Sequence, residues 1–502
     1  RAGHHGGDAP RAGRTDRRWL VVGLLVGLPI VILVIALAQR TWYPTGDLAQ
    51  AELRMRSLPD RPPLLGAAGR IVDEQGRQGN HPGPLMFWAT WPLYALLGRS
   101  AWAFEAATAL VNLAWLSASV WLVARRAGTA VSAWYGVTAL VLIGGYGLNA
   151  LSQPWNPWVA LLPFTVLVLA TWSALAGDRW MAVLAVAAGS YAIQGHVGYA
   201  PVVLPLVALA LAAPAWAWWR GRRGGREREA PPEHAGARGA GVTSGPRRWL
   251  VPTLVAIGVG LLAWSGPVVD LFRNEPSNVA KLLDNFGSPS ETPIGLSRGV
   301  EAVLQSAAPF GAWMRGGGEV TGSIVPGLLL LLAWAASAVL VARREGAGDL
   351  TRLNLVLAVA TAFGVVAVSR IFGALYLYVF RWIAAIVALQ VFALGWALAR
   401  LLPRPSPTTA RRAGALALVA LVGLSAFTAQ RIVRQQIPYD QSWRMERVLA
   451  PRVADQLDPD RSYLVTWDDP AYLGGLGFGL VLELERRGFT VGAEPRFSAA
   501  VE

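Results

Sequence analysis

The chain has 502 residues, of which 54% are hydrophobic and only 15% are charged. This exceeds what a soluble core can bury, so the composition excludes an ordinary soluble protein and predicts an integral membrane protein. The net charge of +14 could suit nucleic acid, but the Lys and Arg residues gather in short segments between apolar runs. There they set membrane topology and contact anionic lipid, so we expect membrane lipids and no nucleic acid as partners. The lack of cysteine removes disulfides and thiolate metal sites.

The first apolar run, residues 19–38, is uncharged. At a rise of about 1.5 Å per residue, it is long enough to cross a hydrocarbon layer of roughly 30 Å. It ends in Ala-Leu-Ala, which resembles a signal-peptidase site. Because the run is longer than a usual signal segment and many spans follow it, we interpret it as a membrane anchor.

Ten further runs have the length and hydrophobicity of membrane spans. They are residues 101–124, 131–151, 157–175, 180–194, 197–219, 249–269, 322–342, 353–368, 376–399 and 413–427. The apolar stretch at 81–98 is short and begins with two prolines in four residues, so we predict an interfacial or re-entrant helix there. The sequence therefore predicts an α-helical polytopic protein with about eleven transmembrane helices.

Basic residues predict the orientation, because Lys and Arg concentrate in cytoplasmic loops. If the basic N-terminal segment is cytoplasmic, eleven spans place all the remaining basic connections on the cytoplasmic side as well. These connections are 125–126, 177–179, 220–229, 342–346 and 399–412. The outer segments are then 39–100, 152–158, 194–199, 270–321, 369–382 and the part after about residue 430. We expect a disordered cytoplasmic linker at 220–248, because it is rich in Pro and Gly. Any chemistry is expected on the extracytoplasmic face of the plasma membrane.

Two domains are predicted, a transmembrane domain at 1–430 and a small extracytoplasmic α/β module at 431–502. Within the module, 462–467 and 489–492 have the pattern of strands, and 471–488 has that of a helix ending at Gly488. About 70 residues are marginal for independent folding, so the module should pack on the membrane part. The GGLGFG run at 474–479 lacks the preceding strand of a nucleotide-binding fingerprint and is interpreted as a helix-packing feature.

The first outer loop carries an acidic residue, Asp47, a few positions after the first span, and then an NHPGPL stretch at 80–85. This arrangement resembles the GT-C superfamily of membrane glycosyltransferases that use polyprenyl-phosphate sugars. The similar groups are the protein O-mannosyltransferases, the lipid A aminoarabinose transferases and the actinobacterial arabinosyltransferases. In that superfamily the loop often has an Asp-Glu pair and a His-Pro-Pro-Leu-like motif. Here Asp47 is followed by Leu48, and a glycine stretches the second motif.

The resemblance covers roughly the first 200 residues. The sequence lacks the Trp-Trp-Asp-type motif of the oligosaccharyltransferases. It implies a GT-C-like fold, a polyprenyl-phosphate-linked sugar as donor, and a cell-envelope glycan, lipid or protein as acceptor. Such a transfer requires a base for the acceptor proton and cations for the leaving phosphate.

Asp47 is predicted to be the general base of an inverting transfer, on the ground of its placement near the outer membrane surface. The alternative is that Asp47 only caps the following helix, since Gly-Asp before a helical segment is also an N-cap signature. Glu52 is a candidate substrate ligand, with pairing to Arg56 at i,i+4 as the alternative.

The other candidate substrate-binding residues are the cations and polar groups of the outer segments: Arg54, His81, Asn156, His196, Arg273, Arg370, Tyr376 and Arg381. Arg381 lies among aromatic residues at a membrane-embedded helix end, where it needs an anionic partner; snorkelling to the interface is the alternative. His196 is equally explained as part of a turn between spans. Trp155 and Trp158 either stack on a sugar or belong to an aromatic belt. We find no metal-ligand spacing and predict no metal ligands, with a divalent cation left open as cofactor.

The alternative function is a transporter or flippase of lipid-linked sugars. It would require ionisable residues midway through spans, and often repeated halves. The sequence has few mid-span charges and no evident repeat, and its charge is concentrated at one face. It therefore favours an enzyme acting at the membrane surface. A non-catalytic scaffold would leave the acidic loop and the outer arginines unexplained.

Overall fold

The computed structural model describes residues 17–73, 78–226, 247–289, 291–317, 320–346, 348–403, 406–437, 440–468 and 475–497. The first part of the chain contains α1 (Trp19–Leu37), α2 (Gly46–Ser57), β1 (Ala68–Val72), β2 (Gln78–Asn80), α3 (Leu85–Leu96) and α4 (Ala101–Ser152). The middle contains α5 (Asn156–Val159), α6 (Leu161–Leu175), α7 (Met181–Gly195), a 3₁₀ turn (Val197–Tyr199), α8 (Ala200–Arg226), α9 (Arg247–Ala263), α10 (Ser265–Arg273), α11 (Asn278–Gly287), α12 (Gly295–Ser306) and α13 (Ala312–Arg315). The last part contains α14 (Val325–Glu345), α15 (Asp349–Ser369), α16 (Leu377–Phe380), α17 (Ile383–Leu401), α18 (Pro407–Val433), α19 (Asp440–Ala454), β3 (Ser462–Val465), α20 (Gly475–Arg486), β4 (Thr490–Ala493) and a 3₁₀ turn (Pro495–Phe497).

Within the described ranges, seven helices are long and apolar enough to cross a membrane, or eight if α9 and α10, bent by 46°, form one broken span. Helix α4 has 52 residues and breaks at Gly128, whose φ of 80° lies in the left-handed region, so its two halves match two predicted spans. Two shorter apolar helices, α7 and Val197–Ala213, match two more. Each of the eleven predicted spans thus has a helix at its position, and the number of crossings stays a prediction.

The helices surround α6, every residue of which is buried. Loops that the charge pattern placed on one side meet at one end of the bundle. Arg125 pairs with Asp178 at 2.7 Å, and the indole Nε1 of Trp172 donates to the carbonyl oxygen of Asp349 at 2.7 Å. The first contact joins two of the predicted inner connections, and the second brings Asp349, which follows the connection at 342–346, to the end of α6. That this end faces the cytoplasm remains a prediction.

Helix α3 has 12 residues, about 18 Å, which is too short to cross the membrane as a helix. The preceding NHPGPL stretch is held close to α7. A Cβ at Gly83 would collide with the side chain of Gln194, and Gln194 Oε1 accepts from the backbone N–H of Leu85 at 3.3 Å. The glycine within the motif therefore permits close contact between the first loop and α7.

Three predicted boundaries are wrong. The span predicted at 376–399 begins at Ile383, because residues 377–380 form the separate short helix α16 and the chain turns before α17. The linker predicted at 220–248 is helical at both ends, since α8 extends to Arg226 and α9 begins at Arg247. Positions 227–246 lie outside the described residues.

The C-terminal module has the predicted strand, helix and strand, with β3 and β4 paired in parallel. As expected for so small a unit, it packs on the rest of the chain. Leu53 of α2 lies in one buried apolar cluster with Phe478, Val481 and Leu482 of α20. The module therefore contacts the helix that begins at Gly46 and includes Asp47.

Candidate functional site

A cavity of about 2070 Å³ lies at the end of the bundle opposite the Arg125–Asp178 contact. Its wall comes from predicted outer segments that are far apart in sequence. Seven of the ten predicted site residues line it: Asp47, His81, Asn156, His196, Arg370, Tyr376 and Arg381. The sequence-based grouping of outer segments thus brings most candidate residues to one site.

Asp47 is the second residue of α2, and the N-cap is Thr45, which makes no side-chain capping bond. Gly46 has a φ of 52°, a left-handed conformation that glycine adopts without strain, and this turn brings the chain into the helix. The indole Nε1 of Trp155 donates to Asp47 Oδ2 at 2.8 Å. The Asp47 carboxylate thus contacts Trp155, the residue before α5. A residue that only caps α2 does not require this contact.

An aromatic wall extends from Asp47 along the cavity. It consists of Trp155, Trp158, Tyr376 and Tyr378, all of which line the cavity. Trp155 contacts Trp158 at a centroid distance of 5.1 Å and Tyr378 at 5.0 Å, and the two tyrosines stack at 5.4 Å. Tyr376 is 48% exposed at the open end of this wall. Aromatic faces of this kind suit the apolar face of a sugar ring or an isoprenoid chain.

Arg381 lies at the turn between α16 and α17 and is only 9% exposed. Its Nη1 donates to the carbonyl of Gly317 at 3.1 Å and its Nη2 to that of Gly145 at 2.6 Å. The guanidinium lies over Trp158 at 5.5 Å. Among the described residues, no acidic side chain forms an ion pair with it. A fixed, buried cation that lines a cavity is suited to bind an anion there.

His81 and His196 stack on each other, with ring centroids 5.0 Å apart. Burial, and then His196, hold the pKa of His81 well below its ordinary value, and burial lowers the pKa of His196 to about 4. Both imidazoles are therefore neutral at pH 7. The N–H of Gly198 donates to His196 Nδ1 at 3.2 Å, so the proton of this neutral ring is on Nε2. His196 closes the turn between α7 and α8 and also faces the cavity.

Asn156 Nδ2 contacts His81 Nε2, and among the residues that the structure describes none forms a hydrogen bond with the buried His81 Nδ1. Three more buried polar atoms of cavity residues also have no hydrogen-bond partner within the described part of the chain: Tyr146 Oη, Asn149 Oδ1 and Trp382 Nε1. Buried polar groups are normally hydrogen-bonded, so these four atoms are candidates for contacts with a polar ligand. They fit a ligand with several hydroxyl or phosphate oxygens.

Several cavity residues were missed by sequence reasoning: Asp73, Tyr146, Asn149, Arg315 and Tyr378. Tyr146 and Asn149 lie in the last turns of the span predicted at 131–151, and polar side chains near the end of an apolar run were the available signal. Arg315 and Tyr378 lie within outer segments that had been recognised, but nothing in the sequence separates them from their neighbours.

Three predicted substrate ligands lie outside the cavity lining. Arg54 is buried beneath the first loop, where its Nη1 donates to the Gly66 carbonyl at 3.2 Å. Arg273 is exposed at the end of α10. Glu52 is 1% exposed and pairs with Arg486, and Arg56 pairs with Glu485 at 2.7 Å. The i,i+4 pairing of Glu52 with Arg56 is therefore wrong, because helix α20 supplies closer partners to both side chains.

Within the described part of the chain, no three His, Cys, Asp or Glu side chains converge in a way that could hold a metal ion.

The fold of the chain is similar to that of ArnT, a protein of known structure. The structure of the chain matches that of ArnT from Cupriavidus metallidurans bound to undecaprenyl phosphate with a TM-score of 0.57 at 16% identity, over 97% of this chain and 88% of that one. The apo state of the same ArnT matches with a TM-score of 0.55 at 15% identity, over 95% and 85% of the two chains. The archaeal oligosaccharyltransferase AglB from Archaeoglobus fulgidus matches with a TM-score of 0.46 at 14% identity, over 95% of this chain and 64% of that chain. No family model matches the sequence, and the curated proteins give no match.

With the fold established, the protein is an α-helical, multi-pass membrane protein with an ArnT-like fold and a small C-terminal α/β module.

Proposed function

We propose that the protein is a membrane glycosyltransferase that moves a sugar from a polyprenyl-phosphate donor to an acceptor hydroxyl on the extracytoplasmic face. One observation carries the proposal: a carboxylate, Asp47, and a buried cation, Arg381, face the same cavity and are joined by an aromatic wall. These are the two charges that the reaction requires. Support also comes from ArnT, whose structure has this fold and holds undecaprenyl phosphate.

In this mechanism Asp47 is the general base of an inverting transfer. The acceptor oxygen attacks the anomeric carbon as its proton passes to the Asp47 carboxylate. The bond between the anomeric carbon and the phosphate oxygen breaks, and its electron pair stays on that oxygen. Trp155 keeps the Asp47 carboxylate oriented by the hydrogen bond from its indole Nε1 to Oδ2.

The leaving phosphate is assigned to Arg381, with Arg370 and Arg315 as further cations of the cavity wall. Because its two terminal nitrogens are held by the Gly145 and Gly317 carbonyls, the guanidinium is fixed before the phosphate arrives. Fixed charges stabilise a developing anion without reorganisation. The neutral His81 and His196 supply N–H groups. These groups donate hydrogen bonds to oxygens of the polyprenyl-phosphosugar without adding charge.

The experiment is transfer by the purified protein in proteoliposomes, with polyprenyl-phosphosugars labelled in the sugar as donors and envelope glycans, lipids or peptides as acceptors. The expected result is labelled acceptor together with free polyprenyl phosphate in equal amounts. Movement of intact donor between leaflets with no cleavage would contradict the proposal and favour the flippase alternative.

A further inference from the structure

Helix α20 of the C-terminal module packs on α2. Ala49 and Leu53 of α2 are buried against Phe478 and Leu482 of α20. Asp47 and Gln50 of the same helix line the cavity. One short helix therefore connects the module to the candidate base.

Charged contacts join the same two helices. Arg486 of α20 donates one terminal nitrogen to Glu52 Oε1 and the other to Glu483. The hydroxyl of Tyr94, on α3, donates to the same Glu52 oxygen at 3.1 Å. Glu52 is 1% exposed, and loss of one partner of such a buried pair leaves an uncompensated charge. Arg486 is thus the group that permits a carboxylate to be buried in the middle of α2.

The position of α2 sets the position of Asp47. Glu52 lies five residues, or about 7.5 Å, along the helix from Asp47. A tilt of α2 at Glu52 would therefore move Asp47 and break its contact with Trp155. The module also reaches the cavity itself: Phe497 lines it and stacks on Trp467 at 4.5 Å.

We propose that Arg486 is a positioning residue, and that the C-terminal module holds α2 so that Asp47 faces the substrate. This inference rests on the proposed function. It makes the module a working part of the active site, although none of its charged residues lines the cavity in the described structure.

The test replaces Arg486 by Gln and by Lys, with Arg487→Gln as the matched control. Arg487 is the next residue of the same module, and its side chain donates to the carbonyl oxygen and the carboxylate of Glu483, whereas Arg486 donates to Glu52 of α2. We expect Arg486→Gln to lower kcat about tenfold or more, because misplacing a reacting group by about 1 Å costs up to about 100-fold. The donor KM and the affinity for polyprenyl phosphate should change less than threefold. Arg486→Lys should be intermediate, and Arg487→Gln should stay near wild type.

Hydrogen exchange of the backbone of α2 is measured on the same variants. It should be faster in Arg486→Gln and unchanged in Arg487→Gln. Normal kcat and normal α2 exchange in Arg486→Gln would overturn the proposal. Parallel loss of kcat and polyprenyl-phosphate affinity would also overturn it, because it would indicate a collapsed cavity rather than a displaced base. If the wild type transfers no sugar, the proposed function fails, and the exchange arm still shows whether Arg486 holds α2.

Discussion

Replacing Arg381 by Ala tests the proposal that Arg381 binds the leaving phosphate of the donor. Hydrogen bonds to charged groups contribute about 1.5–3 kcal/mol, so loss of the guanidinium should weaken polyprenyl-phosphate binding by about 10- to 150-fold. Arg381→Lys should restore part of the affinity, since a point charge replaces a planar fork that is held by two carbonyls. Binding of the uncharged polyprenol should change little in both variants, because it has no phosphate.

The truncation also leaves the Gly145 and Gly317 carbonyls without their donor, which lowers stability by itself. Arg431 provides a matched control, because it likewise donates to two backbone carbonyls, those of Met314 and Arg315, without lining the cavity. The assay is a titration of detergent-solubilised protein with polyprenyl phosphate and with polyprenol. Equal affinity for polyprenyl phosphate in wild type, Arg381→Ala and Arg431→Ala would refute the assignment and return Arg381 to a snorkelling role.

Three further predictions concern topology, packing and pH. Because the chain has no cysteine, single cysteines at the exposed positions 344 and 461 report sidedness, and an impermeant maleimide added to intact cells should label only position 461. Gly83→Ala should lower the free energy of unfolding by about 1–3 kcal/mol through its collision with Gln194, while Gly258→Ala, with open space around it, should not; equal thermal midpoints would count against this packing. Burial raises the pKa of Glu446 from 4.5 to about 8, so its contribution to stability is complete below pH 4.5 and is lost as the pH rises through 8. Glu446→Gln should therefore raise the thermal midpoint relative to wild type at pH 8 and leave it unchanged near pH 4.5, and a gain independent of pH would contradict this.

The sequence predicted the helices well because a membrane span needs only length and hydrophobicity, both of which are local. It predicted the grouping of loops because basic residues mark one side. The contacts Arg125–Asp178 and Trp172–Asp349 agree with that grouping. The placement of Asp47 beyond the first span was also sufficient to bring it to the cavity.

The remaining features depend on contacts between distant parts of the chain. Arg486 is 434 residues away from Glu52, so a local i,i+4 rule assigned Glu52 the wrong partner. Arg381 differs from Arg273 only in what surrounds it after folding: two carbonyls and an indole face for the first, and an exposed helix end for the second. No periodicity or motif in a single sequence encodes these differences.

The most direct test of the central claim is sugar transfer by Asp47→Asn from a polyprenyl-phosphosugar donor. The amide keeps an oxygen for the Trp155 hydrogen bond but cannot take the acceptor proton. Asp73→Asn, at another buried acid of the cavity wall, is the control. We predict that Asp47→Asn loses transfer by a factor of about 10² or more, with unchanged thermal midpoint and polyprenyl-phosphate affinity, while Asp73→Asn remains active. Turnover by Asp47→Asn near the wild-type rate would contradict the account.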